Sequence, residues 1–247
     1  MSAITISATA RDWPARVAAQ DWALAGDDLH SQGYAVLPQL LGAPECAALA
    51  ALYRQAGAPV FRSRVLMQRH GFGLGEYQYF DYPLPGGVAA LREALYPRLR
   101  PIANQWNAAM GLDVRYPDRH ADFLARCHAA GQDRPTPLLL QYATGDYNCL
   151  HQDLYGEHVF PLQVAVLLSE PGRDFTGGEF VLTEQRPRMQ SRAEVVPLRQ
   201  GDAVAFAVHR RPVQGTRGTY RVNLRHGVSR VRSGQRHTLG IIFHDAA

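Results

Sequence analysis

Three side chains in the second half of the sequence have the types and spacing of a metal site with open coordination positions. His151 and Asp153 stand two residues apart in the triplet HQD, and His226 follows in RHGV. Two histidines and one carboxylate on one face of a metal leave positions free for a chelating acid and dioxygen, which suits Fe(II). A closed structural zinc site would require a fourth protein ligand. The pattern therefore predicts iron-dependent oxidation chemistry.

The triplet H-x-D occurs a second time, at His120 and Asp122. A chain of this composition should contain about one such triplet by chance. The second copy lies in YPDRHADFLARCHAAG, where Phe123 and Cys127 recur at helical spacing. Side chains two apart on a helix point to different faces, so we expect this copy to be solvated helix surface.

The HQD triplet has a different context, because it follows PLLLQYATGDYNCL. That segment predicts a strand, a Gly-Asp turn and a second extended stretch. Residues two apart on a strand share one face and lie roughly 7 Å apart. His151 and Asp153 can then bind one ion while Gln152 points away.

Two histidines, His209 and His226, could supply the distal ligand, since each follows an apolar run typical of a strand. After His226 comes a second run, RHTLGIIFH, so we expect an antiparallel hairpin in which Arg236 opens the second strand. Arg236 offers a planar fork for the far carboxylate of a five-carbon diacid, and Thr238 shares its face. No arginine follows His209 at a comparable offset, so the pattern favours His226.

Taken together, the motifs resemble those of the Fe(II)/2-oxoglutarate-dependent dioxygenases. They cover about residues 138–245 and comprise YATG at 142–145, HQD at 151–153, GGEF at 177–180, GD at 201–202 and HGV at 226–228, followed by Arg236 and Thr238.

The resemblance implies a double-stranded β-helix, in an α+β chain with a mainly β core, and iron at one mouth of it. It assigns His151, Asp153 and His226 as metal ligands at the catalytic centre. It also implies that Arg236, Thr238 and Tyr142 hold the co-substrate 2-oxoglutarate, and that dioxygen is the third reactant.

The resemblance leaves two substrate classes open. The ten-residue interval from His226 to Arg236 is similar to the prolyl 4-hydroxylase branch, whereas YATGDYNCLHQD and HGV are similar to the AlkB-type nucleic-acid demethylases. Three longer stretches, beginning MQRHGFGLG, HQDLYGEHV and FAVHRRPVQ, resemble a bacterial oxygenase family described as acting on damaged nucleic acid by oxidative demethylation. Hydroxylation of a C–H bond is implied in each case, with a prolyl, protein or small-molecule substrate as the alternative.

The N-terminal half supplies elements that would pack on this core. Residues 12–32 predict an amphipathic helical segment, GYAVLPQLL a strand, APECAALAALYRQAG a helix and VAALREALYPRLRPIANQWNAAMG another. The glycine and aromatic mixture of residues 59–82 could form a loop over the mouth, although sheet packing is the favoured interpretation of His70, Tyr77 and Tyr79. We expect one oxygenase domain over 1–247, with a helical and strand part at 1–136 and the catalytic core at 137–247.

Composition indicates a cytoplasmic protein. No stretch approaches the roughly 18 uncharged apolar residues of a membrane span, and the first residues lack the apolar core of a secretory signal. Cys46, Cys127 and Cys149 are an odd, scattered set that predicts no disulfide framework. Cys149 would share the strand face of His151 and could enter the metal shell, although a buried filler is the commoner role.

The positive charge of the chain is concentrated near the distal motif. All 26 basic residues are arginine, and twelve of them lie in residues 186–236 against Glu194 and Asp202, a formal charge of +10 that leaves −6 elsewhere. An anionic partner such as nucleic acid is the functional expectation. The alternative is that strand alternation turns these arginines to solvent.

Two further functions are compatible with parts of the pattern. A cupin-like metal isomerase or hydrolase would use a β barrel with His151, Glu157 or His158 as ligands, but would have no need of Arg236. A non-catalytic nucleic-acid-binding protein would use the arginine-rich segment alone, and would have no need of an intact triad.

Overall fold

A computed structural model describes residues 12–55, 59–216 and 218–247. Two of the sequence-based expectations, the absence of a secretory signal in the first residues and the contribution of Arg217 to the basic segment, fall outside these ranges. The described residues contain five α-helices: α1 (Trp13–Ala18), α2 (Trp22–Gln32), α3 (Ala43–Tyr53), α4 (Gly86–Ala109) and α5 (His120–Ala129). None of them combines the length and apolar character that crossing a bilayer requires.

Fourteen strands in the same ranges form two facing antiparallel sheets. The main sheet runs in the order β1 (Tyr34–Leu37), β11 (Ala203–Ala207), β7 (Leu162–Leu167), β14 (Val231–Ile241), β5 (Leu138–Ala143), β4 (Glu76–Phe80) and β2 (Phe61–Leu66), and β8 (Phe175–Gly177) pairs with one end of β14. The minor sheet runs in the order β10 (Ser191–Val196), β9 (Phe180–Gln185), β13 (Gly218–Val228), β6 (Tyr147–His151) and β3 (Gly73–Leu74), and β12 (Arg210–Gly215) pairs with β13.

The main sheet is covered on both faces. Leu239 and Ile241 of β14 belong to the large apolar core that also contains the buried faces of the helices. The alternate residues Thr238 and Gly240 line the space between the two sheets. Burial on both sides explains why β7 and β11, in the middle of this sheet, lack the polar alternation of a half-exposed sheet.

The N-terminal strands extend both sheets rather than forming a separate layer. β1 pairs with β11, and β4 pairs with β5, at opposite sides of the main sheet. β3 pairs with β6 in the minor sheet. Most of residues 59–82 pair as β2, β3 and β4, so the favoured interpretation of sheet packing is confirmed for Tyr77 and Tyr79, which share one face of β4. His70 lies in a short 3-10 helix outside the sheets.

The predicted hairpin of β13 and β14 is also wrong. Each strand pairs with three others, but not with the other. The connection at Ser229 and Arg230 carries the chain from the minor sheet to the main sheet, so His226 and Arg236 face each other across the sandwich. Arg236 is the sixth residue of β14 and not its first.

Two expectations for the helical regions need correction. Residues 12–32 form two helices, because Asp21 caps the second by accepting a hydrogen bond from the Leu24 N–H at 3.0 Å. His120 lies on the predicted helix α5, but it is buried rather than solvated, and its Nε2 is 2.7 Å from the carbonyl oxygen of Phe243. Asp122 of the same triplet is exposed.

Candidate metal and co-substrate site

The minor sheet brings His151, Asp153 and His226 together. His226 on β13 is the direct cross-strand partner of His151 at the end of β6, and their ring centroids lie 4.2 Å apart. β6 ends at His151, so Asp153 stands just beyond the strand rather than on it. Its carboxylate lies 3.5 Å from His151 Nε2 and 3.3 Å from His226 Nε2. One ligand atom from each residue can be chosen so that all lie within 4.8 Å of one another.

Hydrogen bonds around the triad orient its side chains. His151 Nδ1 is 2.7 Å from the carbonyl oxygen of Cys149, which turns Nε2 toward the centre. His226 Nδ1 is buried and has no hydrogen-bond partner within the described part of the chain. Tyr155 donates a 2.7 Å hydrogen bond to Asp153 Oδ1 and orients the carboxylate.

Burial and mutual contact shift the pKa values of the three groups. Burial raises the pKa of Asp153, but its hydrogen bonds to His151 and His226 outweigh that cost, so the pKa lies well below its usual range. Burial lowers the pKa of His226. Burial also opposes protonation of His151, but the hydrogen bond and charge of Asp153 dominate and raise its pKa. An ionised carboxylate among nitrogen donors is the donor set that Fe(II) oxygenases use.

Arg236 lies in the facing sheet with its guanidinium buried. The residue is 2% exposed, its side chain bonds Thr238 Oγ1 at 2.6 Å, and its Nε has no partner among the residues described. Burial lowers the pKa of Arg236 to about 10, so it remains a cation at neutral pH. Within the described ranges no carboxylate forms an ion pair with it, and Glu179 is bonded to Ser229 instead.

Tyr142 lies beside this cation. It is the cross-strand partner of Arg236, and the guanidinium carbon is 5.6 Å from the centroid of its ring. Its hydroxyl accepts a 3.3 Å hydrogen bond from Asn148, and burial raises its pKa. The predicted anchor residues Arg236, Thr238 and Tyr142 therefore share one pocket wall.

A cavity of about 190 Å³ joins the triad to this wall. Its lining comes from both sheets and is mostly apolar and aromatic, and it includes Phe72, Tyr77, Tyr79, Leu138, Leu140, Tyr142, Tyr155, Gln163, Phe180, Phe206, Arg236, Thr238 and Ile242, together with the triad. The space between the sheets can therefore hold small ligands near both the triad and Arg236.

Other sequence candidates lie elsewhere. His209, Glu157 and His158 are absent from the cavity lining and from the triad cluster, and so is His70. Cys149 is exposed, and it contacts His151 through its carbonyl oxygen rather than its thiol. The buried-filler interpretation of Cys149 is therefore wrong.

The arginine-rich segment is divided between buried and exposed positions. Among the described arginines of residues 186–236, only Arg236 lines the cavity. Arg211 is buried in an ion pair with Glu184 at 2.5 Å. Arg221 and Arg225 alternate with buried residues of β13 and are exposed on the outer face of the minor sheet. The guanidinium of Arg230 lies 5.8 Å from the ring centroid of Tyr147, which is on β6, the strand paired with β3.

Sequence reasoning missed several residues of this region. Tyr155 continues the two-residue spacing of His151 and Asp153, which was a usable signal. Gln163 is a lone polar residue in the apolar run LQVAVLL, which was another. The contact of Phe206 with His226, with ring centroids 4.6 Å apart, joins distant strands and left no signal in the sequence.

Comparison with known proteins gives sequence relatives of this chain. A family described as "Oxygenase, catalysing oxidative methylation of damaged DNA" matches residues 75–246. Two uncharacterised proteins from strains of Mycobacterium tuberculosis are each 54% identical over 168 residues, which cover 68% of this chain and 72% of each relative.

Solved structures with similar folds include prolyl hydroxylases. A Pseudomonas putida prolyl-4-hydroxylase superposes with a TM-score of 0.52 at 19% identity, covering 89% of this chain and 96% of that one. A Trichoplax adhaerens prolyl hydroxylase, solved with a hypoxia inducible factor peptide fragment, gives 0.52 at 15% identity, covering 89% and 86%. These similarities confirm the predicted double-stranded β-helix.

Proposed function

The chain belongs to the family described as oxygenases of damaged DNA, and from that membership we propose that it is an Fe(II)/2-oxoglutarate-dependent dioxygenase that oxidises a C–H bond of nucleic acid. The observation that carries the co-substrate assignment is the buried cation of Arg236, which has no acidic partner among the residues that the structure describes and stands across the sandwich from the triad. A buried charge without a partner is costly, and an anionic ligand removes that cost.

The residues fit ferrous ion. His151, Asp153 and His226 would hold it, and two imidazoles with one carboxylate leave open positions. When bound, iron and 2-oxoglutarate supply the activation of dioxygen and the oxidation of a C–H bond, coupled to decarboxylation of the diacid.

The chain itself contributes placement and exclusion of water. Arg236 and Thr238 would bind the far carboxylate of the diacid by charge-assisted hydrogen bonds, and Tyr142 closes that wall. Tyr155 holds Asp153 through its Oδ1. Phe180 and Phe206 pack around His226 and shield its ring from solvent.

Nucleic acid is the proposed partner because family membership and charge agree. If the oxidised carbon is an N-methyl group, its hydroxylated product would release formaldehyde and leave the base repaired. The base would have to leave its stack to enter the cavity. Exposed arginines such as Arg225 and Arg230 could then contact phosphates and position the strand.

We also infer that the chain acts as one oxygenase domain. Strands from before residue 137 pair into both sheets, and Tyr77 and Tyr79 among them line the cavity. The N-terminal part therefore contributes to the proposed site and is more than a separate helical cover.

The first test of the proposal is anaerobic reconstitution. Purified protein is loaded with Fe(II) and 2-oxoglutarate without oxygen, and we expect the visible charge-transfer band of the chelated complex. Asp153→Ala should lose the band and weaken Fe(II) binding measured by calorimetry, because one of three ligands is removed.

Arg232→Ala is the matched control, since this exposed arginine lies outside the cavity lining. A wild-type protein that gives no band, or an Asp153→Ala variant that keeps it, would contradict the proposal. Methylated oligonucleotides are then assayed for formaldehyde and succinate release.

A further inference from the structure

Gln163 is a polar residue at the end of the cavity away from Arg236. It begins the inner face of β7 and is the cross-strand partner of Phe206 on β11. Phe206 in turn contacts His226, with ring centroids 4.6 Å apart. Gln163 is therefore one side chain removed from the proposed metal ligands.

The carboxamide of Gln163 is buried but incompletely satisfied. The residue is 3% exposed and lines the cavity. Its Nε2 has no hydrogen-bond partner anywhere in the described ranges. Buried polar groups in native proteins are nearly always hydrogen-bonded, so an unpaired one in a cavity wall calls for a ligand.

The co-substrate does not account for this group. Thr238 pairs with Leu167 of β7, and Gln163 lies four residues further along, which is about 13 Å at the rise of a strand. A five-carbon diacid has a carbon chain of about 6 Å. Bound by Arg236 and Thr238, it would stop short of Gln163, so the carboxamide is left for the substrate.

The walls near Gln163 favour a flat, apolar-faced ligand. Phe206 lies beside it, and Tyr79, Tyr155 and Ile242 line the same cavity. Aromatic walls accept the face of a heterocycle, and a carboxamide offers one donor and one acceptor for its edge. A peptide proline ring would have no such edge to offer.

We propose that Gln163 is a specificity-determining residue that hydrogen-bonds the edge of an unstacked nucleobase in this cavity. The inference rests on the proposed function and names its substrate class more closely. The carboxamide pairs with an adjacent donor and acceptor on the base, as glutamine does with adenine in duplex recognition. Bases that present the wrong order of donor and acceptor leave Gln163 unsatisfied and bind more weakly.

The test measures binding and turnover separately. Anaerobic Fe(II)/2-oxoglutarate protein is titrated with single-stranded oligonucleotides carrying one N-methylated adenine or cytosine, or none, and anisotropy gives each Kd. We expect the wild type to prefer one methylated base. Gln163→Leu should raise the Kd and KM for that base about tenfold and narrow the preference between bases, with kcat changed less than KM.

Gln163→Met provides a second, unbranched replacement in case leucine disturbs β7. Gln185→Leu is the matched control, because Gln185 is exposed at the end of β9 and should keep the wild-type preference. The charge-transfer band reports whether each variant still binds iron and 2-oxoglutarate.

Failure of this inference is distinct from failure of the proposed function. A wild type without the charge-transfer band would contradict the dioxygenase assignment itself. A wild type with the band that binds none of the oligonucleotides, or that responds to a proline peptide instead, would keep the dioxygenase assignment but overturn the nucleic-acid substrate, and the nucleobase assignment with it. Unchanged Kd and base preference in both Gln163 variants would remove Gln163 from the substrate site.

Discussion

The guanidinium of Arg236 is a buried charge in the cavity wall. Among the residues described, the guanidinium hydrogen-bonds one side chain, the neutral Thr238, and its Nε has no partner. Removing a cation from water without an anion to pair with it opposes folding. A residue of this kind lowers the stability of the free protein in exchange for affinity toward an anionic ligand.

Arg236→Met should separate those two effects. Because a buried charge is replaced by an apolar chain of similar length, the ligand-free variant should unfold at the same temperature as the wild type or a higher one. 2-Oxoglutarate at a hundredfold its Kd should stabilise the wild type by about 2.7 kcal/mol and the variant hardly at all. Thermal unfolding with and without the diacid, under nitrogen with Fe(II), measures both.

Arg232→Met serves as the control, since Arg232 is exposed on the same strand and should keep the response to 2-oxoglutarate. A ligand-free Arg236→Met protein that unfolds several degrees below the wild type would show that the cation has a structural role instead.

At this scale the sequence predicted which residues meet but not all of their neighbours. His151, Asp153 and His226 were identifiable because their types, order and flanking strands carry the information. The metal-binding role of these residues stays a prediction. Tyr155 continues the spacing of His151 and Asp153, whereas Phe206 reaches His226 through tertiary packing, so no local spacing identifies Phe206.

The pairing of β13 with β6 sets the distance between the two histidines. Gly227, next to His226, lies against the backbone of β6, and a Cβ at this position would come 2.7 Å from the carbonyl oxygen of Asn148. That contact is too short to be relieved by a side-chain rotation. The two strands must separate to admit even a methyl group.

Gly227→Ala should therefore weaken metal binding without removing a ligand. We expect the Kd for Fe(II) to rise about tenfold, because small displacements of ligands are costly at a site of fixed geometry. Anaerobic calorimetry measures the change. Gly86→Ala is the control, since a Cβ at Gly86 meets open space; equal affinity of both variants for Fe(II) would show that β6 and β13 adapt freely.

Arg211, one partner of a buried ion pair in the minor sheet, also joins this sheet to helix α2. Arg211 on β12 bonds Glu184 of β9 and donates to the carbonyl oxygens of His30 and Ser31 at the end of α2, at 2.8 and 2.9 Å. Arg186 also contacts Glu184 at 3.2 Å. Arg211 therefore caps the C-terminus of α2 and holds it against the minor sheet, and Glu184 neutralises the charge of Arg211.

Arg211→Met should lower the free energy of unfolding by about 3 kcal/mol, because Glu184 keeps a buried charge whose remaining partner, Arg186, is itself exposed. Adding Glu184→Leu removes that charge and should restore most of the loss. Urea denaturation of the two variants gives the comparison, and a double variant no more stable than Arg211→Met would argue that the lost helix contacts dominate.

The largest error of the sequence interpretation belongs to this scale. β13 and β14 are consecutive, alternating and joined by a short connection, and consecutive strands usually neighbour each other. Nothing local distinguishes a turn that folds a strand back from one that crosses to a facing sheet. Only the sandwich as a whole decides it, through the apolar faces that both strands must bury.

Three histidines outside the triad make the whole molecule sensitive to acid. Burial lowers the pKa values of His120, His237 and His244 to about 4 each. In the unfolded chain they would titrate near 6.5. Between pH 6.5 and 4 the unfolded state therefore binds more protons, and stability falls as the pH falls.

We expect the free energy of unfolding of the metal-free protein to drop between pH 6.5 and 5, by up to about 1.4 kcal/mol per pH unit for each histidine. Urea denaturation at several pH values measures the slope. His120→Gln removes one titrating group and should make the slope shallower, whereas a slope that is flat in the wild type would mean that these histidines are protonated within the fold.

The crossing of the chain at Ser229 and Arg230 has a consequence for the ligand-bound protein. The triad and Arg236 belong to opposite sheets, so a molecule that touches both crosslinks the sandwich from within. Its arrival should slow amide hydrogen exchange along β6 and β13 in the minor sheet and along β5 and β14 in the main sheet. No backbone hydrogen bonds of the described strands join the first pair to the second. Rigidity in one sheet would then depend on a small molecule attached to the other.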